Sequence, residues 1–258
     1  MEVLASGYGL LEAPTAGDDG SVYFSDVFGG GLHRWSPGGS VETVVPNRRG
    51  IGGMCLHADG GFVVSGRDVV HVRDGESRPL LELDGVAGFN DLEPAPDGSI
   101  YVGALRFMPF RNEEPVPGDI WRITAAGEAE KVIDDVEWPN GIGLSPDGRT
   151  LYACNYSSGE VIAYDGKQRV FAQSPSGDAD GLAVDAAGGV WVATGSGGGI
   201  VRFSPEGDLD GQIDVPADFV SSLCFGGADD RDLFVTTIGS LFRTRVDRSG
   251  LPRPRASI

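Results

Sequence analysis

A chain of 258 residues with 41 Gly and a formal charge of −18, from 20 basic against 38 acidic side chains, repels phosphate backbones, which sets nucleic acid aside as a partner. No apolar stretch approaches the ~18–20 residues of a membrane helix, so no membrane association is expected. The length is large for an ordinary single domain but suits a closed all-β ring, and the frequent Asp-Gly and Gly-Gly pairs mark turns.

Met1 to Leu10 has neither a basic start nor a long apolar core, so no signal peptide is expected there. Cys55, Cys154 and Cys224 are odd in number and lie in strand-like runs, which argues against a disulfide framework and for a reducing, cytoplasmic setting. Lys131 and Lys167 are the two lysines, which weakens any Schiff-base chemistry.

Taken in chain order, one unit recurs. A polar residue is followed by apolar residues two and four places on, then by an Asp/Gly-rich turn and a β-type run. The polar positions are Glu12, Gly52, Asn90, Asn140, Asp180 and Ser221. The β-runs are 22–25, 62–65, 100–103, 151–154, 190–193 and 233–236, with second residues 40, 38, 51, 39 and 43 apart. A period near 40 with several short strands per unit predicts a propeller. Third strands are expected at 32–35, 120–123, 161–164 and 200–203, and more polar fourth strands at 41–44, 129–133 and 169–172.

The reading is therefore an all-β, six-bladed β-propeller with four-stranded blades, forming a single domain over 1–258. The last unit lacks a good fourth strand before the Pro-rich segment 251–258, whereas Glu2-Val3-Leu4-Ala5 has that strand's pattern; the N-terminal strand is expected to close the ring. The 51-residue interval holds a Pro-rich insertion, 106–118, expected as a stiff surface loop and equally suited to be a lid or a neutral decoration.

In a propeller the first strand of each blade lines the axis, so the six polar positions should face one another. Asn and Asp also occur before strands simply because they favour turns. That alternative accounts poorly for Glu12, and poorly for acids and amides sharing one register. Two carboxylates and two amides are hard oxygen donors, suited to Ca²⁺, Mg²⁺ or Mn²⁺. Without a cation the carboxylates would repel one another. His33, His57 and His71 lie off this register, which disfavours an imidazole-rich zinc site.

Five segments in order, Leu11-Glu12-Ala13-Pro14, Gly88-Phe89-Asn90-Asp91, Trp138-Pro139-Asn140-Gly141-Ile142, Asp180 to Asp185 and Ser221 to Gly227, resemble the SMP-30/gluconolactonase/luciferin-regenerating-enzyme-like family. The resemblance runs from Leu11 to about Thr237. It implies a six-bladed propeller with one divalent cation in the channel, Ca²⁺ foremost and Mg²⁺, Mn²⁺ or Zn²⁺ as alternatives. By motif position Glu12, Asn140 and Asp180 correspond to the metal ligands, Asn90 to a residue near the substrate, and Asp180 also to the candidate general base. Ala13 stands where the family usually has Gly, with little effect expected. Gly88 stands where sugar-lactone members often carry a substrate-binding Arg, and Arg106 is a candidate replacement.

The expected activity is metal-dependent hydrolysis of a lactone or related cyclic ester, with the metal polarising the carbonyl and Asp180 taking a proton from water or serving only as a ligand. Tyr156 and Trp138 are candidates for the pocket wall, and Gly52 and Ser221 for a gap admitting substrate. Two other readings stay open: a phosphotriesterase-like hydrolase on the same calcium site, and a non-enzymatic calcium-binding propeller.

Overall fold

β-branched and aromatic runs separated by Gly-rich turns satisfy their backbone groups by meandering antiparallel strands. The computed structural model describes residues 1–111 and 113–258; Asn112, inside the 106–118 insertion, lies outside the described residues. It is an all-β propeller whose described residues include one short 3-10 turn, Pro109–Arg111. The six expected β-runs fall, to within a residue, in the strands Val22–Asp26, Phe62–Val64, Ile100–Leu105, Leu151–Asn155, Val190–Ala193 and Asp232–Arg245.

The blade count differs from expectation. The strands form five blades, counted as hydrogen-bonded sheets, and not six. Four sheets are four-stranded meanders spanning 54–81, 88–136, 139–173 and 182–214. The fifth has six strands, because its two longest strands each pair twice. Glu2–Ala16 pairs through Glu2 to Leu10 with the strand Asp232–Arg245, and through Leu11 to Ala16 with Val22–Asp26. Asp232–Arg245 pairs in turn with Val220–Gly226. The N-terminal strand thus joins the last strand, as its pattern suggests, but runs on without a break into the first unit. Two sequence repeats thereby merge into one sheet.

Apolar clusters fill the space between neighbouring sheets. Ile120 and Ile133 meet Ile142 and Leu144, and Val161 meets Val190 and Val201. Each such fully buried aliphatic side chain contributes roughly 1.5–3 kcal/mol. A second recurring device is an Asp in a turn between two strands bonded to an Arg in the second strand after that turn: Asp19 with Arg34, Asp97 with Arg122, Asp185 with Arg202. The first two pairs are partly exposed, whereas Asp185 and Arg202 have side chains 0% and 7% exposed.

Residues after Ser249 cross from sheet to sheet. Ala186 N donates to Ser249 O, Ala256 N to Leu56 O and Ser257 N to Gly98 O. This tail covers a small cavity of about 140 Å³. That cavity lies about three residues further along the strands that carry the polar positions, so the tail and the polar register occupy opposite ends of those strands.

Candidate functional site

The polar positions follow one another around the inner strands, tied by hydrogen bonds between adjacent units. Ser221 Oγ donates to Leu11 O at 2.6 Å, and Ser25 Oγ to Ile51 O at 2.7 Å. Asn90 Nδ2 donates to Pro139 O at 3.0 Å, and the carboxylate of Asp91 accepts from Ile142 N at 3.1 Å. Gly141 N donates to Asp180 O at 3.0 Å, and Gly181 N to Ser221 O at 2.8 Å. A side chain on Gly141 would collide with Asp180 O and the Leu182 backbone. The glycine after Asn140 is what lets the two strands bearing Asn140 and Asp180 approach so closely.

These ties bring Glu12, Asn90, Asn140, Asp180 and Tyr156 to the wall of one cavity of about 910 Å³, with Trp138 beside Tyr156 at 4.4 Å between ring centroids. The volume is at the upper end of the roughly 300–1,000 Å³ typical of small-molecule sites. Gly52 also lines the cavity but leaves no gap: a Cβ there would strike the Asn90 side-chain oxygen, so Asn90 fills the space. Ser221 is fully buried, with its hydroxyl spent on Leu11 O and on Thr236 Oγ1 at 3.0 Å, and serves as a strand tie. Arg106 points elsewhere and pairs with Asp119 at 2.6 Å, where Lys131 also binds. His57 and His71 stack on each other at 3.9 Å, away from the cavity.

A bulge follows Glu12 directly. The pairing of its strand with Val22–Asp26 shifts register between Glu12 and Thr15. Ala13, next in line, has φ of 53°, a left-handed conformation costly for any residue with a Cβ. Leu10 and Glu12, two residues apart on the strand, both line the cavity, and the bulge follows them.

Burial pushes the Glu12 carboxyl well above the usual range, and the nearby Asp180 and Asp91 carboxylates push the same way. Burial does the same to Asp180, reinforced by Asp178 and Asp91, while the Asn140 amide pulls in the opposite direction. Among the described residues neither Glu12 nor Asp180 forms an ion pair with Arg or Lys. Tyr156 donates its hydroxyl to the Asp178 carboxylate at 3.1 Å, which fixes the ring in the wall. Deeper along the same strands, burial raises Asp91 to about 7 and Glu93 to about 8.

No group of three His, Cys, Asp or Glu side chains poised for a metal occurs among the described residues. The donor set here is two carboxylates and an amide, all oxygen, with no thiol or imidazole on the cavity wall. Two buried like charges without a counter-charge fit a hard divalent cation.

A family model described as the SMP-30/Gluconolactonase/LRE-like region matches residues 10–239. The chain belongs to that family. Pentonolactonase XacC of Haloferax volcanii is 30% identical to it, covering 93% of this chain and 92% of the relative. A 6-deoxy-6-sulfogluconolactonase of Pseudomonas putida is also 30% identical, covering 90% and 89%. A solved gluconolactonase from Xanthomonas campestris superposes with a TM-score of 0.84 at 26% identity, covering 94% of this chain and 88% of that one. Several members of the SMP-30/gluconolactonase/LRE-like family similar to this chain thus bear lactonase names.

Sequence reasoning missed three cavity residues outside the repeat register, Arg49, Arg67 and Arg111, and an apolar rim in which Phe28 and Phe110 meet edge to face at 5.0 Å. The signal for the first two was Gly-flanked arginine in inter-strand loops, Arg49-Gly50 and Gly66-Arg67. No helix of the described residues is long and apolar enough to cross a membrane.

Proposed function

We propose that this protein is a metal-dependent lactonase whose site lies at the mouth of the central channel. Glu12, Asn140 and Asp180 would hold one divalent cation, Ca²⁺ foremost, which when bound supplies a Lewis acid for the ester carbonyl. The observation that carries the reading is the juxtaposition of Glu12 and Asp180, both raised by burial and by neighbouring carboxylates, on the wall of a cavity large enough for a sugar lactone. The family and the lactonase names of its members support the bond type.

Ring opening needs a water delivered to the carbonyl carbon and a proton removed from it. Asp180, on the cavity wall beside the Asn140 amide, would either accept that proton or serve only as a ligand that holds the cation. The Asn140 amide next to it steadies its orientation. Asn90, held through its Nδ2 by Pro139 O, keeps its carboxamide at the cavity wall as a substrate contact. Tyr156 and Trp138, whose rings are tilted by 44° to each other, offer an aromatic wall for the sugar ring.

The test is turnover of a panel of γ- and δ-lactones with and without added Ca²⁺. Wild type should open at least one lactone in a metal-dependent way, and Asn140→Ala and Asp180→Ala should lose most of that rate while keeping their fold. Full lactonase activity and normal cation binding in both folded variants would refute the assignment.

A further inference from the structure

The cavity is chemically two-sided. Its acid groups sit deep, and three exposed arginines, Arg49, Arg67 and Arg111, line its outer part. Of the chain's 18 arginines, 12 are paired with carboxylates among the described residues. These three are not, although acids outnumber bases 38 to 20 in the chain. Guanidinium groups gathered on one rim repel each other, and the acid-rich surface offers ready partners elsewhere. An unpaired trio is therefore a feature that the fold's own charge balance does not require.

The rim is also built. Arg48 and Asp68 form an ion pair at 2.6 Å, and Arg48 Nη2 also donates to Asp68 O at 3.2 Å. That pair ties the loop bearing Arg49 to the loop bearing Arg67, and both arginines line the cavity. Arg111 comes from the insertion, whose 3-10 turn is anchored by buried Phe107 against Trp138 at 5.1 Å and by Arg106 on Asp119. Gly88, on the cavity wall, supplies no cation of its own.

We propose that this rim binds an anionic oxo group, such as a phosphate, sulfonate or second carboxylate, carried by the lactone on the part remote from the ester. Guanidinium forks match such groups with paired hydrogen bonds, and their field steers an anion into an otherwise acidic protein. The ring then reaches the deep carboxylates while the charged tail stays on the rim. The substrate class becomes lactones with an anionic substituent. This rests on the lactonase reading, so binding is tested apart from turnover.

The experiment is calorimetric titration with gluconate, 6-phosphogluconate and inorganic phosphate, beside turnover of a neutral lactone and its phosphorylated counterpart. At low salt, 6-phosphogluconate should bind about tenfold tighter than gluconate, and rising salt should erode the difference. Arg49→Gln/Arg67→Gln/Arg111→Gln should abolish the preference, the corresponding triple Lys variant should keep part of it, and Arg231→Gln/Arg248→Gln, which removes unpaired arginines outside the cavity, should leave it intact. Equal binding of the two sugar acids, an unchanged preference in the triple Gln variant, or inorganic phosphate binding as tightly as 6-phosphogluconate would overturn the proposal. Turnover of lactones without the binding preference would leave the lactonase reading standing and remove the rim. The preference without any lactone turnover would do the reverse.

Discussion

Asp180 and Asp185 flank the strand Leu182–Val184, five residues apart, and are 3% and 0% exposed. Their surroundings differ in kind. Asp185 accepts hydrogen bonds from Arg202 Nε at 2.8 Å, from Trp191 Nε1 at 2.9 Å and from Gly189 N at 2.9 Å. Burial alone would raise its carboxyl, but these donors more than offset it and hold it below the usual range. Asp180 faces other carboxylates and one amide, and stands well above that range. The fold buries an aspartate at little cost where the counter-charge is built in. At the cavity the counter-charge is missing from the chain, and the imbalance points to something that binds there.

The sharpest way to break this comparison is to neutralise each aspartate's environment. Asp180→Asn should lower kcat for lactone opening by roughly 10²–10⁴-fold, the usual worth of a positioned proton acceptor, without loss of fold. Arg202→Met should leave kcat near wild type but cost about 3 kcal/mol in urea unfolding, because Asp185 is then buried without its cation.

Ca²⁺ should raise the melting temperature of wild type by an amount that grows with concentration, equivalent to about 2.7 kcal/mol at a hundred times Kd. Glu12→Gln/Asp180→Asn should show almost no such shift, and Arg202→Met should show it in full.

The pH dependence has a definite sign. Glu12 holds its proton in the folded, metal-free protein to a higher pH than in the unfolded chain. The unfolded state therefore releases protons first as pH rises past the ordinary carboxylate range, and stability falls over that interval. In chelator, wild type should lose stability as pH rises above the ordinary carboxylate range, and urea unfolding of Glu12→Gln should show a smaller loss over the same interval. Asp185 has the opposite displacement, and its share of stability should fade only on acidification. The smallest effect belongs to Arg122→Met, which breaks the partly exposed counterpart of the Arg202 pair and should cost less than about 1 kcal/mol.

What the sequence by itself determined was the local register. Strand alternation and turn chemistry act over a few residues, so runs such as Val22–Asp26 and Leu151–Asn155 are legible from composition and spacing. Glu12, Asn140 and Asp180 are legible for the same reason, as polar residues at a repeating apolar-flanked position, and the folded chain brings them to one cavity.

The tertiary structure decided what depends on where distant segments meet. Ring closure made Glu2–Ala16 one continuous strand, so two repeats share a sheet and the blades number five. It set Asn90 into the space beside Gly52, spent the Ser221 hydroxyl on Leu11, and drew Arg106 to Asp119. It also gathered Arg49, Arg67 and Arg111 from three loops onto one rim. Periodicity reports which face a residue occupies within its own strand; which charge it will meet is set by long-range packing, and at this cavity that packing left acids in the depth and arginines at the edge.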